Sequence, residues 1–157
     1  MSDFIGEHLP REVLSAFNGE ELLSKIGLAY LIVTVDPEGT PRPCMLSMGE
    51  ILAIDDSHLR LAIWRGTHTD ANLAAGSPVL MCYVEDRLVL YIRGQTRLLC
   101  EDQEASQTYY ELEVSSVERD DHPGMPVVDT IRFSVEGASL DETVGEWEER
   151  LKRLRQA

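Results

Sequence analysis

The fold is decided by the stretch HLRLAIWRGTHTDANLAAGSPVLMCYV, which covers residues 58–84. The alternation of apolar residues predicts a strand over 59–64, and the composition that follows predicts a loop over 65–69 and a short helix over 70–75. A Gly-Ser-Pro sequence ends that helix, and the apolar run 79–84 predicts the next strand. The stretch is therefore a strand–loop–helix–strand unit.

The loop of this unit places a cation, a glycine, two hydroxyls and a histidine at the start of a helix, as Arg65, Gly66, Thr67, His68 and Thr69. A helix N-terminus offers unpaired N–H groups and the positive end of a dipole, so such a loop can hold a phosphate. Threonine is also a common N-cap, so Thr67 or Thr69 can serve only to cap the helix. The residues by themselves leave both interpretations open.

The charge of the chain restricts its partners. Its 157 residues suit one domain, and 14 Lys and Arg against 28 Asp and Glu give a net charge of −14. This charge disfavours nucleic acid and anionic membrane surfaces as partners. An anionic ligand would need a site where the few cations and backbone donors are concentrated, and the loop around Arg65 is one of the few candidates.

Several classes of site lack a signature. No basic-then-apolar leader and no apolar run of membrane-spanning length occurs, so we expect a cytoplasmic protein. The three cysteines show no C-x-x-C spacing and the four histidines no ligand spacing, so we expect neither disulfides nor a metal site. No nucleophile elbow, dinucleotide fingerprint or phosphate-binding Walker loop is present, and no catalytic residue can be named.

Working outward, the sequence predicts a helical lead-in over 10–26, while residues 1–9 carry no clear pattern. Apolar runs then predict successive strands, with 28–35 buried on both faces, followed by 44–48, 51–54, 59–64, 79–84 and 88–99. Gly94 within the last of these indicates a bulge or a close backbone approach. Antiparallel hairpins in series with few helices favour a closed or nearly closed barrel over a parallel sheet.

The second part of the chain predicts a helix over 101–112, irregular chain over 114–128, a last strand over 129–135 and a helix over 140–156. Ser139 and Glu142 match a capping box at the start of this last helix. Its apolar face, with Trp147 and Leu151, should pack on its own barrel or on a partner subunit.

This order of elements resembles the pyridoxamine-phosphate-oxidase-like family of FMN-binding split barrels. LAYLIVTV at 28–35 and DPEGTP at 36–41 are similar to the family's strand and D-x-x-G-x-P turn. The unit over 63–81, where members often carry a Gly-Ser-Arg-Lys-like loop, and the glycine-containing strand over 89–99 also match. The resemblance covers roughly residues 10–100.

The resemblance implies a mainly β, six-stranded antiparallel split β-barrel in one domain over 1–157, with the barrel over 28–135. It also implies a homodimer with FMN in a cleft between the subunits. The flavin phosphate would contact Thr67, His68 and Thr69, and Arg65 could add charge; Cys44, Met45 and Leu46 would line the isoalloxazine ring and Ile63 and Trp64 would border it. Two positions depart from the family pattern: its phosphate-binding lysine is Thr69 here, and a frequent arginine is Cys44. Trp64 can equally pack at the barrel rim or in a dimer contact.

The function that this resemblance implies is a flavin-dependent oxidoreductase of unknown substrate and electron donor. Such an enzyme needs no catalytic side chain, because the cofactor carries the hydride or electron chemistry. We do not expect pyridoxamine-phosphate oxidase activity itself, because the C-terminal segment shows no substrate signature of that enzyme. The alternatives are a protein that holds haem or a deazaflavin, or stores flavin without turnover, and a cofactor-free dimeric scaffold.

Overall fold

The computed structural model describes residues 1–157 and consists of one antiparallel sheet with four flanking helices. The helices are α1 (Arg11–Ala16), α2 (Leu22–Lys25), α3 (His68–Ala74) and α4 (Leu140–Gln156). The strands are β1 (Ser2–Gly6), β2 (Leu28–Val35), β3 (Pro41–Ser47), β4 (Ile51–Ala53), β5 (His58–Trp64), β6 (Val79–Glu85), β7 (Leu88–Asp102), β8 (Gln107–Asp120) and β9 (Ile131–Arg132). None of the helices combines the length and the apolar character that a membrane crossing requires.

The sheet is rolled up by its own connectivity. Its strand order is β3-β2-β6-β7-β8-β5-β4, with β1 added to β8 and β9 added to β2. The two end strands, β3 and β4, are separated by only residues 48–50 in the chain, so the two edges of the sheet must lie close together. The predicted antiparallel split barrel is confirmed, although its nine strands exceed the expected six.

The strand β2 and the turn after it follow the prediction. In the turn, the Gly39 amide donates to the Asp36 carbonyl over 2.9 Å, and the φ of Gly39 is +84°. The expectation that β2 is buried on both faces is wrong within the single chain. Tyr30 and Ile32 point into the core, whereas Leu31, Val33 and Val35 on the other face remain half-buried.

The predicted helix over 101–112 is wrong, and so is the irregular chain predicted over 114–120, although residues 121–128 are irregular as predicted. Residues 88–120 form a long hairpin of β7 and β8 that turns over residues 103–106. The segment is rich in helix-forming Glu, Gln and Ala, but pairing with β5 and β7 overrides this local preference. Tyr109 and Tyr110 are adjacent and both buried, because β8 is covered on both faces at this point, and this conceals the two-residue period of a strand.

The other predicted elements differ from the observed ones by smaller amounts. The two lead-in helices are confirmed, although the second is only one turn long. Residues 2–6, which carry no clear sequence pattern, pair with β8, and the strand predicted over 129–135 is reduced to Ile131–Arg132. Gly94 shows both predicted features: the register shifts beside it, and a Cβ there would lie 2.0 Å from the Glu113 carbonyl oxygen.

Helix α4 covers the open side of the barrel. The predicted capping box is present: the Ser139 hydroxyl accepts from the Glu142 amide, and the Glu142 carboxylate accepts from the Ser139 amide. Trp147, Leu151 and Leu154 are buried in the main core cluster. The apolar face of α4 therefore packs on its own barrel.

Candidate functional site

The candidate site is the loop between β5 and α3, and its polar groups are largely bonded to one another. The Thr67 hydroxyl accepts from the Asp70 amide over 3.2 Å and donates to the Trp64 carbonyl over 2.8 Å. Asp70 in turn accepts from the Gly66 amide over 3.0 Å through Oδ2 and from the Tyr110 hydroxyl over 2.8 Å through Oδ1. Thr67 is thus the helix cap, and a carboxylate of the chain itself already binds a loop amide.

The cation of the loop is also engaged. The Arg65 guanidinium lies 2.9 Å from the Glu101 carboxylate and donates as well to Gln103. His68 is exposed, and its ring makes no hydrogen bond or ion pair within the chain. One carboxylate, Glu101, therefore holds the arginine of the loop and another, Asp70, holds its Gly66 amide, which leaves His68 as the polar side chain of the loop free for a ligand. Sequence analysis did not identify Asp70 and Glu101, because one is a helix-start residue and the other lay in the wrongly predicted helix.

The loop meets strand β3 at Thr69. The Thr69 side chain is only 5% exposed and lies beside Cys44, whose thiol donates to the Met45 carbonyl over 3.8 Å. Burial raises the pKa of the Cys44 thiol, and the neighbouring Thr69 side chain offsets part of the rise. One turn further along α3, the Asn72 amide donates to the Thr34 hydroxyl over 2.9 Å, which fixes the helix against β2. The two sequence-predicted segments, 44–46 and 63–69, are thus brought together in space.

Not every predicted site residue presents its side chain to this place. Neighbouring strand residues point to opposite faces of a sheet. Leu46 and Ile63 are each 2% exposed and belong to the core, so a ligand could reach only their backbone groups. Met45 and Trp64 point outward and are 59% and 49% exposed.

Trp64 is partly covered by helix α4. The Arg150 guanidinium lies 5.8 Å from the centroid of the Trp64 ring, the geometry of a cation–π contact. This contact agrees with the interpretation in which Trp64 packs at the barrel rim. It also places Trp64 on the α4 side of the sheet, away from the inward-facing Ile63.

An apolar cavity of about 400 Å³ lies on the outer face of β2 and β6. Val33, Val35 and Leu80 form its wall, and Pro41 stands three residues before Cys44 on β3. This volume is within the range of ligand pockets. The sequence signal for this cavity is the apolar run on β2, which has more apolar residues than one buried face requires. The prediction that β2 is buried on both faces placed all of these residues in the core.

No group of three or more His, Cys, Asp and Glu side chains lies where it could hold a metal ion. Glu111 is paired with two arginines: its carboxylate lies 3.1 Å from Arg60 and 2.6 Å from Arg97. Burial by itself would raise the pKa of Glu111, but hydrogen bonds from Arg97 and Arg60 bring it below its usual value. Glu111 and Arg60 are largely buried whereas Arg97 is mostly exposed, and no residue of the loop takes part in this cluster.

The chain is similar in sequence or in fold to several known proteins. No family model matches the chain. An uncharacterised Bacillus subtilis protein, YclD, is 24% identical over 140 residues, which cover 88% of this chain and 90% of that protein. A Lactobacillus delbrueckii structure, provisionally designated a pyridoxamine 5'-phosphate oxidase, superposes with a TM-score of 0.57 at 20% identity, covering 74% of this chain and 98% of its own.

A Mycobacterium smegmatis protein described as binding FAD and haem superposes with a TM-score of 0.50 at 13% identity, over 78% of this chain and 76% of that one. At these identities the comparisons speak to the fold. The rolled antiparallel sheet and its structural relatives together show that this chain has the split-barrel fold of the pyridoxamine-phosphate-oxidase-like proteins.

Proposed function

We propose that this protein binds a flavin-type cofactor, FMN, beside the start of α3 and acts as a flavin-dependent oxidoreductase. The observation that carries the proposal is the convergence of the Cys44 segment with the 65–69 loop: helix α3 lies against strand β3, and Thr69 lies beside Cys44. Within a split barrel these are the two segments that the family resemblance assigns to the cofactor. The Mycobacterium relative, which binds FAD, adds support at the level of the fold.

The residues present fit an FMN phosphate in part. His68 is exposed and supplies a free imidazole, the exposed Thr67 hydroxyl would have to exchange its bond to the Trp64 carbonyl for the ligand, and Arg65 supplies full charge only if it exchanges Glu101 for the ligand. Such an exchange costs little, because exposed ion pairs contribute only about 0.2–1 kcal/mol. When bound, the flavin would supply the hydride or electron chemistry, and the chain would bind and orient it.

The direct test is titration of the purified protein with FMN, followed by flavin fluorescence and by calorimetry. We expect saturable binding at micromolar FMN and at least tenfold weaker binding by Arg65→Gln. Arg119→Gln is the matched control, since Arg119 is also an exposed arginine paired with a carboxylate, Asp121, but lies far along β8. Absence of saturable binding by the unaltered protein would overturn the proposal.

A second candidate function is a binding protein that holds haem or a deazaflavin, or stores flavin without turnover. It is favoured by a specific observation: Thr69 and Cys44 are neutral where the family carries cations, and Asp70 already occupies the Gly66 amide. These features weaken the case for a phosphate dianion, because charge-assisted hydrogen bonds are about twice as strong as neutral ones. A Soret band in the purified protein that is lost in His68→Ala would establish haem binding in place of FMN.

A further inference from the structure

A glutamine at the start of β8 has a buried amide without partners. Gln107 is 1% exposed, and neither its side-chain nitrogen nor its side-chain oxygen makes a hydrogen bond. Buried polar groups in folded proteins are paired in the great majority of cases, so such a group requires an explanation. Both a donor and an acceptor are left unused at one place.

This glutamine lies against a groove of about 510 Å³ between α4 and the turn over residues 103–106. On the α4 side the groove is lined by Gly145, where an added Cβ would have no atom within 4 Å. Glycine inside a helix is unfavourable relative to alanine, and here no neighbouring atom requires it. The absence of a side chain at Gly145 keeps the groove open down to the helix backbone.

An aromatic surface adjoins the unpaired amide. Trp64 is the cross-strand partner of Gln107, so the two side chains stand on the same face of the sheet. Arg150, which also lines the groove, lies over this half-exposed ring, and its guanidinium makes no hydrogen bond or ion pair. Because no hydrogen bond or ion pair holds it, the Arg150 side chain can move off the ring, which joins the Trp64 face to the groove that Gln107 lines.

The charges around the groove are mostly negative. Glu104, Glu146 and Glu149 line it, and of its two arginines Arg153 is paired with Asp102 at 3.3 Å. An anionic ligand is therefore disfavoured, whereas a neutral or cationic ring is accepted.

We propose that this groove is a binding site for a planar, neutral or cationic ring that carries a primary carboxamide, stacked on Trp64 and paired with Gln107. A carboxamide presents a donor and an acceptor side by side, so it can satisfy both atoms of the glutamine amide at once. The indole face supplies stacking, as aromatic side chains do for planar ligands. The site does not depend on a flavin at the loop, since none of the phosphate-contacting candidates lines it.

The probes are nicotinamide, 1-methylnicotinamide and nicotinate, titrated into the full chain and followed by calorimetry and by NMR shifts. We expect the first two to bind, and nicotinate, which is anionic and lacks the amide donor, to bind at least tenfold more weakly. Gln107→Leu should weaken nicotinamide binding at least tenfold without lowering the thermal midpoint, because it removes an unpaired polar group. Gln95→Leu, at an exposed glutamine on β7, is the matched control and should bind as the unaltered protein does.

Three results would overturn the proposal. Equal nicotinamide binding by Gln107→Leu and the unaltered protein, or none by either, would mean that the buried amide serves no ligand and is paired only by internal water. Competition between FMN and nicotinamide, with both weakened by Gln107→Leu, would mean that the groove belongs to the cofactor ring. If FMN does not bind but nicotinamide does, the proposal for this groove holds and only the proposed function fails. The two proposals can therefore be distinguished.

Discussion

Thr69 and Cys44 stand where the resembled family carries a lysine and an arginine, and in this structure they lie beside each other. A neutral pair replaces two cations at one place, while Arg65 is held by Glu101 and a loop amide by Asp70. The local charge is therefore set by residues that no family motif names. Because Glu101 holds Arg65, a substitution at Glu101 should change the affinity for an anionic cofactor.

Replacing Glu101 by glutamine should strengthen FMN binding. The change frees Arg65 from an exposed ion pair worth about 0.5–1 kcal/mol, so we expect a dissociation constant about two- to fivefold lower. The control is Glu38→Gln, which changes the net charge equally in an exposed turn remote in sequence from the loop. An equal effect of the two variants would show that only net charge matters and would contradict a role for Arg65.

Glu111 gives a second prediction at the scale of single residues, a pH dependence. Because its folded pKa lies below the usual 4.5, Glu111 stabilises the fold above that pH and loses this contribution as the pH falls through the lowered value. Glu111→Gln should cost about 2 kcal/mol at pH 7, since it leaves Arg60 and Arg97 without their charge partner, and should lose less stability in acid. Urea denaturation at pH 7 and pH 3 measures both effects. Glu113→Gln, exposed on the same strand, should change neither.

Among the elements, the hairpin of β7 and β8 depends on one close approach. Gly94→Ala would place a Cβ 2.0 Å from the Glu113 carbonyl oxygen, so the strands must separate or shift. We expect a loss of about 3 kcal/mol or more in the free energy of unfolding, measured with urea. Gly145→Ala is the opposite case within α4: open space surrounds it, and the variant should gain about 0.5–1 kcal/mol. A small loss at Gly94 would mean that the hairpin adapts more easily than its geometry indicates.

Local signals identified some elements and could not identify others. β2, its turn and α4 are predictable because alternation, turn residues and a capping box act within a few residues. The strand β8 is not, because its conformation is imposed by pairing with β5 and β7, which lie far away in sequence. At the site, the sequence indicated that Thr67 could cap α3, but only the fold reveals the bonds of Asp70 and Glu101 and the packing of α3 against β3.

For the whole molecule, the half-buried apolar face of β2 and β6 remains uncovered by the chain itself. Val33 and Leu80 line a cavity on this face. A charged side chain buried there without a partner would be costly. We predict a homodimer through this face, with a mass in light scattering twice the 17.6 kDa of the chain. Val33→Lys should yield monomers, whereas Leu23→Lys, at an exposed leucine of α2, should not. A monomer mass for the unaltered protein would contradict the prediction.

The position of β8 in the centre of the sheet has a consequence during synthesis. On a ribosome the chain emerges from its N-terminus, so β5 is complete before β8, its pairing partner, exists. Until residues 107–120 leave the exit tunnel, β5 has no β8 to pair with. Its side chains Leu59, Leu61 and Ile63 are all buried in the finished protein but lack this neighbouring strand until then. The hairpin of β7 and β8 can then form quickly across its short turn and receive β5. A nascent chain stalled before residue 107 should therefore expose apolar surface and recruit chaperones, and release of the following strand should end that exposure.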